Sequence, residues 1–312
     1  MRRRITLSLT LLLVAGIAVA QEGKQPARKA VPSYRTLPTY PDVKYGPYTR
    51  NVMDVWLAKS DKPTPVLVSI HGGGFMAGDK SVRPDLLTEC LKSGISVAAI
   101  TYRFSNEAIA PASFLDSARA IQFIRSKAKQ WNLDPSKMAA TGESAGAGIS
   151  LWLGFHDDLA DPNSEDPVLR QSTRLTCVAA FNAQTSYDPR FIRDLLPGTD
   201  TYKTPALVHL FGVDLNKLDD LPKDKYKLFE EVSPITHLTK DDPPALLIYR
   251  RAMDTPITNK NIAIHNPRFG KVLKDKMDVL GIECQVRSGV KPASEEWTTL
   301  TMEFVKRHFG MK

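Results

Sequence analysis

The chain has 312 residues and carries 42 lysines and arginines against 34 aspartates and glutamates, a formal net charge of +8. Three of those arginines lie directly after the first methionine, and without them the net charge is 39 − 34 = +5. The remaining basic residues are dispersed among acidic ones and form no stripe, which argues against nucleic acid as a partner.

The N-terminal residues have the layout of a secretory signal peptide. The arginines precede an apolar run at residues 5–19, and Ala18-Val19-Ala20 has the small-x-small pattern of a cleavage site. The run is shorter than the roughly 20 residues that span a bilayer, so a membrane anchor is the weaker alternative. We therefore predict a signal peptide at 1–20, a flexible arm at 21–43, and a secreted or periplasmic protein without an integral membrane segment after cleavage.

The rest of the chain, residues 44–312, suits one large domain in which strands alternate with helices. Apolar or alternating runs predict strands at 53–58, 65–70, 95–100, 137–141, 177–181, 245–249 and 283–286. Helical periodicity predicts helices at 84–92, 113–131, 145–155, 267–280 and 295–309. This order implies an α/β fold with a mainly parallel central sheet covered by helices on both faces.

Two long polar stretches with prolines, about 157–173 and 187–234, interrupt the alternation. A compact domain rarely carries connections of this length without a use for them, so we predict cap-like insertions over an active site.

The three cysteines are Cys90, Cys177 and Cys284. The odd count leaves at least one thiol unpaired, while one disulfide stays open for an exported protein. Their spacing suggests no metal site, and we expect neither a metal nor a cofactor.

A candidate nucleophile lies between the strand at 137–141 and the helix at 145–155. Gly142-Glu143-Ser144-Ala145-Gly146 fits the pattern G-x-S-x-G, in which a sharp strand-to-helix turn exposes a serine hydroxyl above the sheet. Taken alone, the same residues also fit an ordinary strand-to-helix turn.

A second motif, His71-Gly72-Gly73-Gly74, directly follows the strand at 65–70. Consecutive glycines let backbone N–H groups converge on one point, where they stabilise the oxyanion formed when a serine attacks an acyl carbon. The order, spacing and strand context of the two motifs together predict the α/β-hydrolase fold.

Between about residues 50 and 285 the chain resembles the HGGG-type esterase and lipase group of α/β-hydrolases. The resemblance is closest to the bacterial feruloyl-esterase-like (BD-FAE-like) branch. The segments that carry it include PVLVSIHGGGFMAGDKS, DPSKMAATGESAGAG and SPITHLTKDDPPALLIY. It implies a carboxylesterase-type serine hydrolase that cleaves small-molecule or carbohydrate-linked esters through an acyl-enzyme on Ser144. It also implies oxyanion-hole amides at Gly73, Gly74 and Ala145, and a structural role for His71.

The orienting acid is expected just after the strand at 245–249, because serine, acid and histidine follow in that order in this fold. The resemblance leads us to expect a His-Gly turn there, but this chain has Arg250-Arg251. Asp254 is the predicted acid, and a plain surface aspartate is the alternative.

The base is expected in the loop at 287–297, which contains no histidine. Three other histidines are predicted to lie far from Ser144, namely His156, His237 and His308. His209 falls in the predicted cap. His265 follows Asp254 in the expected order and is therefore the predicted base by elimination, with a packing histidine as the alternative.

Two functional hypotheses remain open. The first is a working esterase whose base has been relocated or substituted, and the intact glycine motifs favour it. The second is a catalytically impaired hydrolase-fold protein that binds a ligand or partner, and the missing loop histidine favours it. A secreted serine peptidase has less support, because no further substrate-reading domain is present.

Overall fold

The computed structural model describes residues 36–290 and 295–312, so the predicted signal peptide lies outside the described residues. An eight-stranded sheet with the order β1-β2-β4-β3-β5-β6-β7-β8 forms its centre. The strands are Tyr40–Lys44 (β1), Val52–Trp56 (β2), Thr64–Ile70 (β3), Ser96–Ile100 (β4), Leu133–Glu143 (β5), Cys177–Phe181 (β6), Ala245–Tyr249 (β7) and Cys284–Ser288 (β8). Only the pairs β1·β2 and β2·β4 are antiparallel. The mainly parallel sheet expected from the sequence is confirmed.

Helices cover both faces of this sheet. They are Pro84–Lys92 (α1), Ala112–Ser126 (α2), Ala128–Trp131 (α3), Ala145–Phe155 (α4), Pro189–Leu195 (α5), Pro205–Phe211 (α6), Lys223–Glu231 (α7), Lys260–Ile264 (α8), Arg268–Val279 (α9) and Glu295–His308 (α10). One apolar core lies under α2, α4 and α9, and a second lies under α1 and α10. All seven residues of β3 are buried, because alternate side chains such as Val66 and Leu67 enter opposite cores.

The ordered domain begins earlier than the sequence indicated. Strand β1 pairs antiparallel with β2, and the Trp56 Nε1–H group donates to the Thr36 carbonyl at 3.0 Å. The predicted boundary at residue 43 is therefore wrong, since Tyr40–Lys44 belongs to the sheet. This edge strand is mostly exposed and contains a proline, so it lacks the apolar alternation by which a strand is found in a sequence.

Of the two predicted insertions, one lies over Ser144 and the other lies along a helix. Residues 187–234 contain α5, α6 and α7 with 3₁₀ turns at Thr201–Lys203 and Leu215–Asp220, and they cover the carboxyl ends of the strands beside Ser144. The stretch 157–173 instead packs along α2, where the Gln122 side-chain amide donates to three of its carbonyl groups. We therefore assign the cap to 187–234 alone.

All three cysteines are free and buried, so the disulfide left open by the sequence is not formed. Cys90 lies in α1, Cys177 begins β6 and Cys284 begins β8. Within the part of the chain that the structure describes, no helix is long and apolar enough to cross a membrane.

Candidate active site

Ser144 occupies the sharp turn between β5 and α4. Its backbone has φ 53° and ψ −118°, a region that a residue with a side chain rarely adopts, and its amide donates to the Phe181 carbonyl at 2.9 Å. The flanking glycines make this turn possible. A Cβ atom at Gly146 would lie 2.1 Å from the Ile70 carbonyl oxygen, and one at Gly142 would meet the backbone of Gly146 at 2.5 Å. The glycine spacing is thus a packing requirement of the turn.

His265 directly follows α8 and faces the serine. Its Nε2 atom lies 2.9 Å from the Oγ atom of Ser144. Burial lowers the pKa of this imidazole, a hydrogen bond to the Asn261 backbone opposes that shift, and the positive charge of Arg250 adds to the lowering. The ring is therefore neutral at pH 7. In the neutral tautomer whose lone pair is on Nε2, this atom can accept a proton from the serine.

Asp254 is not brought to this histidine. It lies exposed in the turn after β7, and among the described residues no hydrogen bond or ion pair joins it to His265. The expectation that Asp254 orients the base is not met. The physical reason is the course of the chain after β7, where the Arg250 amide donates to the Asn182 side-chain carbonyl at 3.0 Å in place of a His-Gly turn.

A polar network that the sequence did not reveal lies beside Ser144. The Glu143 carboxylate accepts from the Asn182 side-chain amide at 3.3 Å and lies 3.8 Å from the Arg250 guanidinium. This acid, which precedes Ser144 in the chain, is therefore held by a neighbouring amide and cation. In the sequence, Glu143 is marked only by its place inside the G-x-S-x-G motif.

The glycine loop after β3 lies against the serine turn. Gly73 and Gly74 have φ values of +102° and +61°, and a Cβ atom at Gly72 would lie 3.5 Å from the Ser144 Cβ atom. No acceptor within the described residues takes a hydrogen bond from the Gly73 or Gly74 amide. Gly74 and Ala145 also line the same cavity as Ser144. The three amides predicted for an oxyanion hole thus belong to the two turns that meet at the serine.

His71 is buried and supports the glycine loop from below. Its ring stacks on Tyr102 with centroids 4.3 Å apart, and its Nδ1–H group donates to the Gly72 carbonyl at 2.7 Å. Burial lowers the pKa of His71 to about 4, so the ring is neutral at pH 7. A Cβ atom at Gly78 would lie 2.1 Å from the His71 Nδ1 atom, which shows how closely the loop wraps this imidazole.

A small cavity of about 50 Å³ opens beside the Ser144 hydroxyl. Phe269 and Tyr187 contribute aromatic walls, and the cap contributes Ala206 and Leu207. The lining is apolar apart from a few side-chain hydroxyl and amide groups. A space of this size beside a serine suits a short hydrocarbon group.

A serine on a strand-to-helix turn, above a mainly parallel eight-stranded sheet, places the molecule among the proteins with the α/β-hydrolase fold. The family model BD-FAE matches residues 53–261, which is more than half of the chain. The chain therefore belongs to the BD-FAE family, and the resemblance drawn from its motifs is confirmed.

Two curated relatives come from Mycobacterium tuberculosis. The chain is 26% identical over 215 residues to the probable carboxylic ester hydrolase LipM, covering 67% of this chain and 47% of the relative. It is 28% identical over 217 residues to the esterase LipQ, with the same two coverages. The chain thus spans about half the length of these curated relatives.

Solved structures share the fold over most of the chain. An acetyl ester-xyloside bifunctional hydrolase from Caldicellulosiruptor lactoaceticus gives a TM-score of 0.69 at 19% identity, covering 88% of this chain and 99% of that one. A truncated carbohydrate esterase from gut microbiota gives a TM-score of 0.67 at 22% identity, covering 86% and 95%.

Proposed function

We propose that this protein is a serine carboxylesterase that hydrolyses esters of short carboxylic acids through an acyl-enzyme on Ser144. The observation that carries the proposal is the 2.9 Å separation between the Ser144 Oγ atom and the His265 Nε2 atom. That distance lies within the reach of direct proton transfer between a nucleophile and its base. Membership of the BD-FAE family and the named ester hydrolases among the relatives support the same activity.

The reaction begins when Oγ attacks the acyl carbon and His265 Nε2 accepts the hydroxyl proton. The carbonyl oxygen becomes an anion, which the free amides of Gly73 and Gly74 and the amide of Ala145 stabilise. The protonated imidazole then gives its proton to the departing alcohol oxygen. Water then attacks the acyl carbon of the acyl-enzyme, with His265 again as base. This second attack releases the carboxylic acid and restores Ser144.

No carboxylate among the described residues forms a hydrogen bond or ion pair with His265. The Asn261 backbone favours the imidazolium, but a neutral backbone group stabilises it less than a charged carboxylate does. The nearby Arg250 charge opposes imidazolium formation further. We therefore expect catalysis to be slower than with a complete triad and to rely more on the oxyanion-hole amides.

The acyl group is expected to be acetyl or propionyl, because the cavity beside Ser144 holds only about 50 Å³. For the alcohol we propose a small-molecule or carbohydrate hydroxyl, since two similar folds are described as a carbohydrate esterase and an acetyl ester-xyloside hydrolase. The predicted signal peptide supports a secreted or periplasmic location, where polymeric carbohydrate is accessible.

One observation favours a second candidate function. No carboxylate among the described residues contacts His265, and Arg250 places a positive charge near it. The alternative is a hydrolase-fold protein that holds small esters in the cavity without turning them over.

A fluorophosphonate ester probe distinguishes the two functions. We expect the protein to become covalently labelled at Ser144, with no label on the Ser144→Ala variant, and to release aryl alcohol from p-nitrophenyl acetate. If wild type stays unlabelled and both proteins release aryl alcohol equally, the esterase proposal is wrong and the binding function is the better account.

A further inference from the structure

We propose that His156, Glu231 and His237 bind one divalent cation of the zinc class, far from the active site, and that this ion fastens the cap to the helix that carries the nucleophile. His156 caps the C-terminal end of α4, whose other end begins at the nucleophile turn. Glu231 is the last residue of α7 in the cap, and His237 follows the 3₁₀ turn Pro234–Thr236.

The three side chains already converge. One ligand atom from each lies within 4.8 Å of the others, and the His156 Nε2 atom is 3.2 Å from the Glu231 Oε1 atom. The two imidazole rings have centroids 4.6 Å apart. Ligands of a tetrahedral zinc ion lie about 3.3 Å from one another, so small side-chain rotations bring the set to that geometry.

Hydrogen-bond donor counting around His156 requires either a protonated imidazole or a cation beside the neutral ring. Its Nδ1 atom lies 2.9 Å from the Asp157 carbonyl oxygen, while its Nε2 atom faces the Glu231 carboxylate. Both neighbours are acceptors, and a neutral imidazole carries only one N–H group. If Nδ1–H donates to the carbonyl, the Nε2 lone pair points at a carboxylate oxygen. A cation between those two atoms turns this repulsion into shared coordination.

His237 shows the same arrangement. Its Nε2 atom lies 2.6 Å from the backbone carbonyl oxygen of Glu231, which uses one ring nitrogen, and within the described residues its Nδ1 atom has no hydrogen-bond partner. Metal-bound histidines usually donate their second N–H group to a carbonyl or carboxylate, which fixes the ring and its tautomer. Both histidines of this cluster therefore have the outer hydrogen bond that a ligand needs.

The surroundings shield one side of the cluster. The buried ring of Trp152 packs 4.3 Å from the His156 ring, and its Nε1–H group donates to the Glu231 carbonyl at 2.8 Å. The two imidazoles and the carboxylate leave the fourth position of a tetrahedral ion to a water molecule.

The donor set selects the kind of ion. Two imidazole nitrogens and one carboxylate suit zinc and similar transition metals, whereas magnesium and calcium prefer all-oxygen sites. The role is structural, because α4 separates His156 from Ser144 by 12 residue steps, or about 18 Å at 1.5 Å per residue.

Zinc binding to tag-free, EDTA-treated protein tests the proposal. Calorimetric titration of wild type with Zn²⁺ is expected to show one bound equivalent, and Zn²⁺ is expected to raise Tm, whereas Mg²⁺ does neither. Glu231→Gln and His237→Gln are expected to weaken Zn²⁺ binding by more than about tenfold. His209→Gln, which removes an exposed histidine from α6, is the matched control and keeps the affinity.

Circular dichroism checks that each variant is folded, and p-nitrophenyl acetate hydrolysis is measured in parallel because the site is independent of Ser144. Wild type that binds no zinc, or a folded His237→Gln protein that binds it as tightly, overturns the proposal. In the first case His156 and Glu231 form a simple ion pair. Loss of zinc binding with esterase activity retained supports it.

Discussion

The His265 imidazole meets the Ser144 hydroxyl at 2.9 Å across 121 positions of sequence. This histidine comes from the connection after β7, one strand earlier than the loop after β8 where the resemblance places a base. The Asn261 backbone, one helical turn before it in α8, favours the protonated form of this imidazole, and no carboxylate among the described residues is hydrogen-bonded to the ring. The Asn259 side chain accepts from the Ile262 amide at 3.0 Å and starts that turn. The position of His265 thus follows from the end of a short helix whose start is capped by a side chain.

Replacement of His265 is expected to remove most activity. We expect His265→Gln to lower kcat/KM for p-nitrophenyl acetate by about 10²–10⁴-fold, the usual contribution of a general base. His209→Gln, which replaces an exposed histidine of the cap, serves as the comparison and is expected to keep wild-type rates. Equal rates for wild type and His265→Gln would remove this residue from the mechanism.

Asp254 is expected to be dispensable. Since Asp254 is exposed and, among the described residues, has no hydrogen bond or ion pair with His265, Asp254→Asn should change kcat/KM by no more than about twofold, as for a surface substitution away from the site. The measurement is steady-state hydrolysis of the same ester. A loss of a hundredfold or more would mean that the turn after β7 moves to bring the carboxylate to the base.

The acidic side of the pH–rate profile tests the charge near the base. The pKa of His265 is lowered by burial and by Arg250, so kcat/KM should fall only below pH 6.5, where the imidazole gains a proton. Arg250→Gln removes a positive charge and should move that fall to higher pH. Arg251→Gln, the exposed neighbour, is the control. A fall that stays in place or moves to lower pH in Arg250→Gln contradicts the assignment.

His71 is expected to make the fold sensitive to acid. It is 7% exposed and its pKa is about 4 when folded, against about 6.5 when unfolded. The unfolded chain therefore binds this proton first, and stability present above pH 6.5 is lost as the pH falls to 4, by about 3 kcal/mol.

Urea unfolding of wild type and His71→Asn at several pH values measures that loss. We expect the variant to be less stable at pH 7 but to lose less stability between pH 6.5 and 4. Parallel decreases in the two proteins would show that other groups account for the acid sensitivity.

The cavity predicts a preference for short acyl chains. Rates on p-nitrophenyl esters should fall from acetate to hexanoate, because the space beside Ser144 is only about 50 Å³. Leu207→Ala shortens a side chain of the cap wall and so enlarges the cavity. It should therefore raise the hexanoate-to-acetate ratio of kcat/KM. Leu115→Ala, at a leucine that is 45% exposed on α2, is the matched control. A ratio that Leu207→Ala leaves unchanged would place the acyl chain elsewhere.

The elements found from the sequence share strong periodic signals. Strand β3 and helix α4 are apolar and fully buried, and the glycines beside them have steric reasons that a motif captures. The cap helices were missed because they are short and begin at or directly after prolines. Edge strand β1 was missed because its side chains are mostly exposed.

The site residues could be predicted from the sequence only in part, for a different reason. The order of residues along the chain led to His265 but also to Asp254, since order does not show where a turn points. The backbone of Asn261 is what favours the charged form of His265, and a backbone group cannot be recognised from residue type. The proposed zinc ligands His156 and Glu231 are 75 positions apart, too far for a spacing motif.

The three buried thiols determine which redox conditions the folded protein tolerates. Burial raises the pKa of Cys90, Cys177 and Cys284 to about 12, so the reactive thiolate is nearly absent at neutral pH. The fold needs no oxidation step to form, and its thiols resist exchange with glutathione or other disulfides. The same native structure is therefore attainable in a reducing cytosol and in an oxidising compartment, and expression does not require a disulfide-forming host.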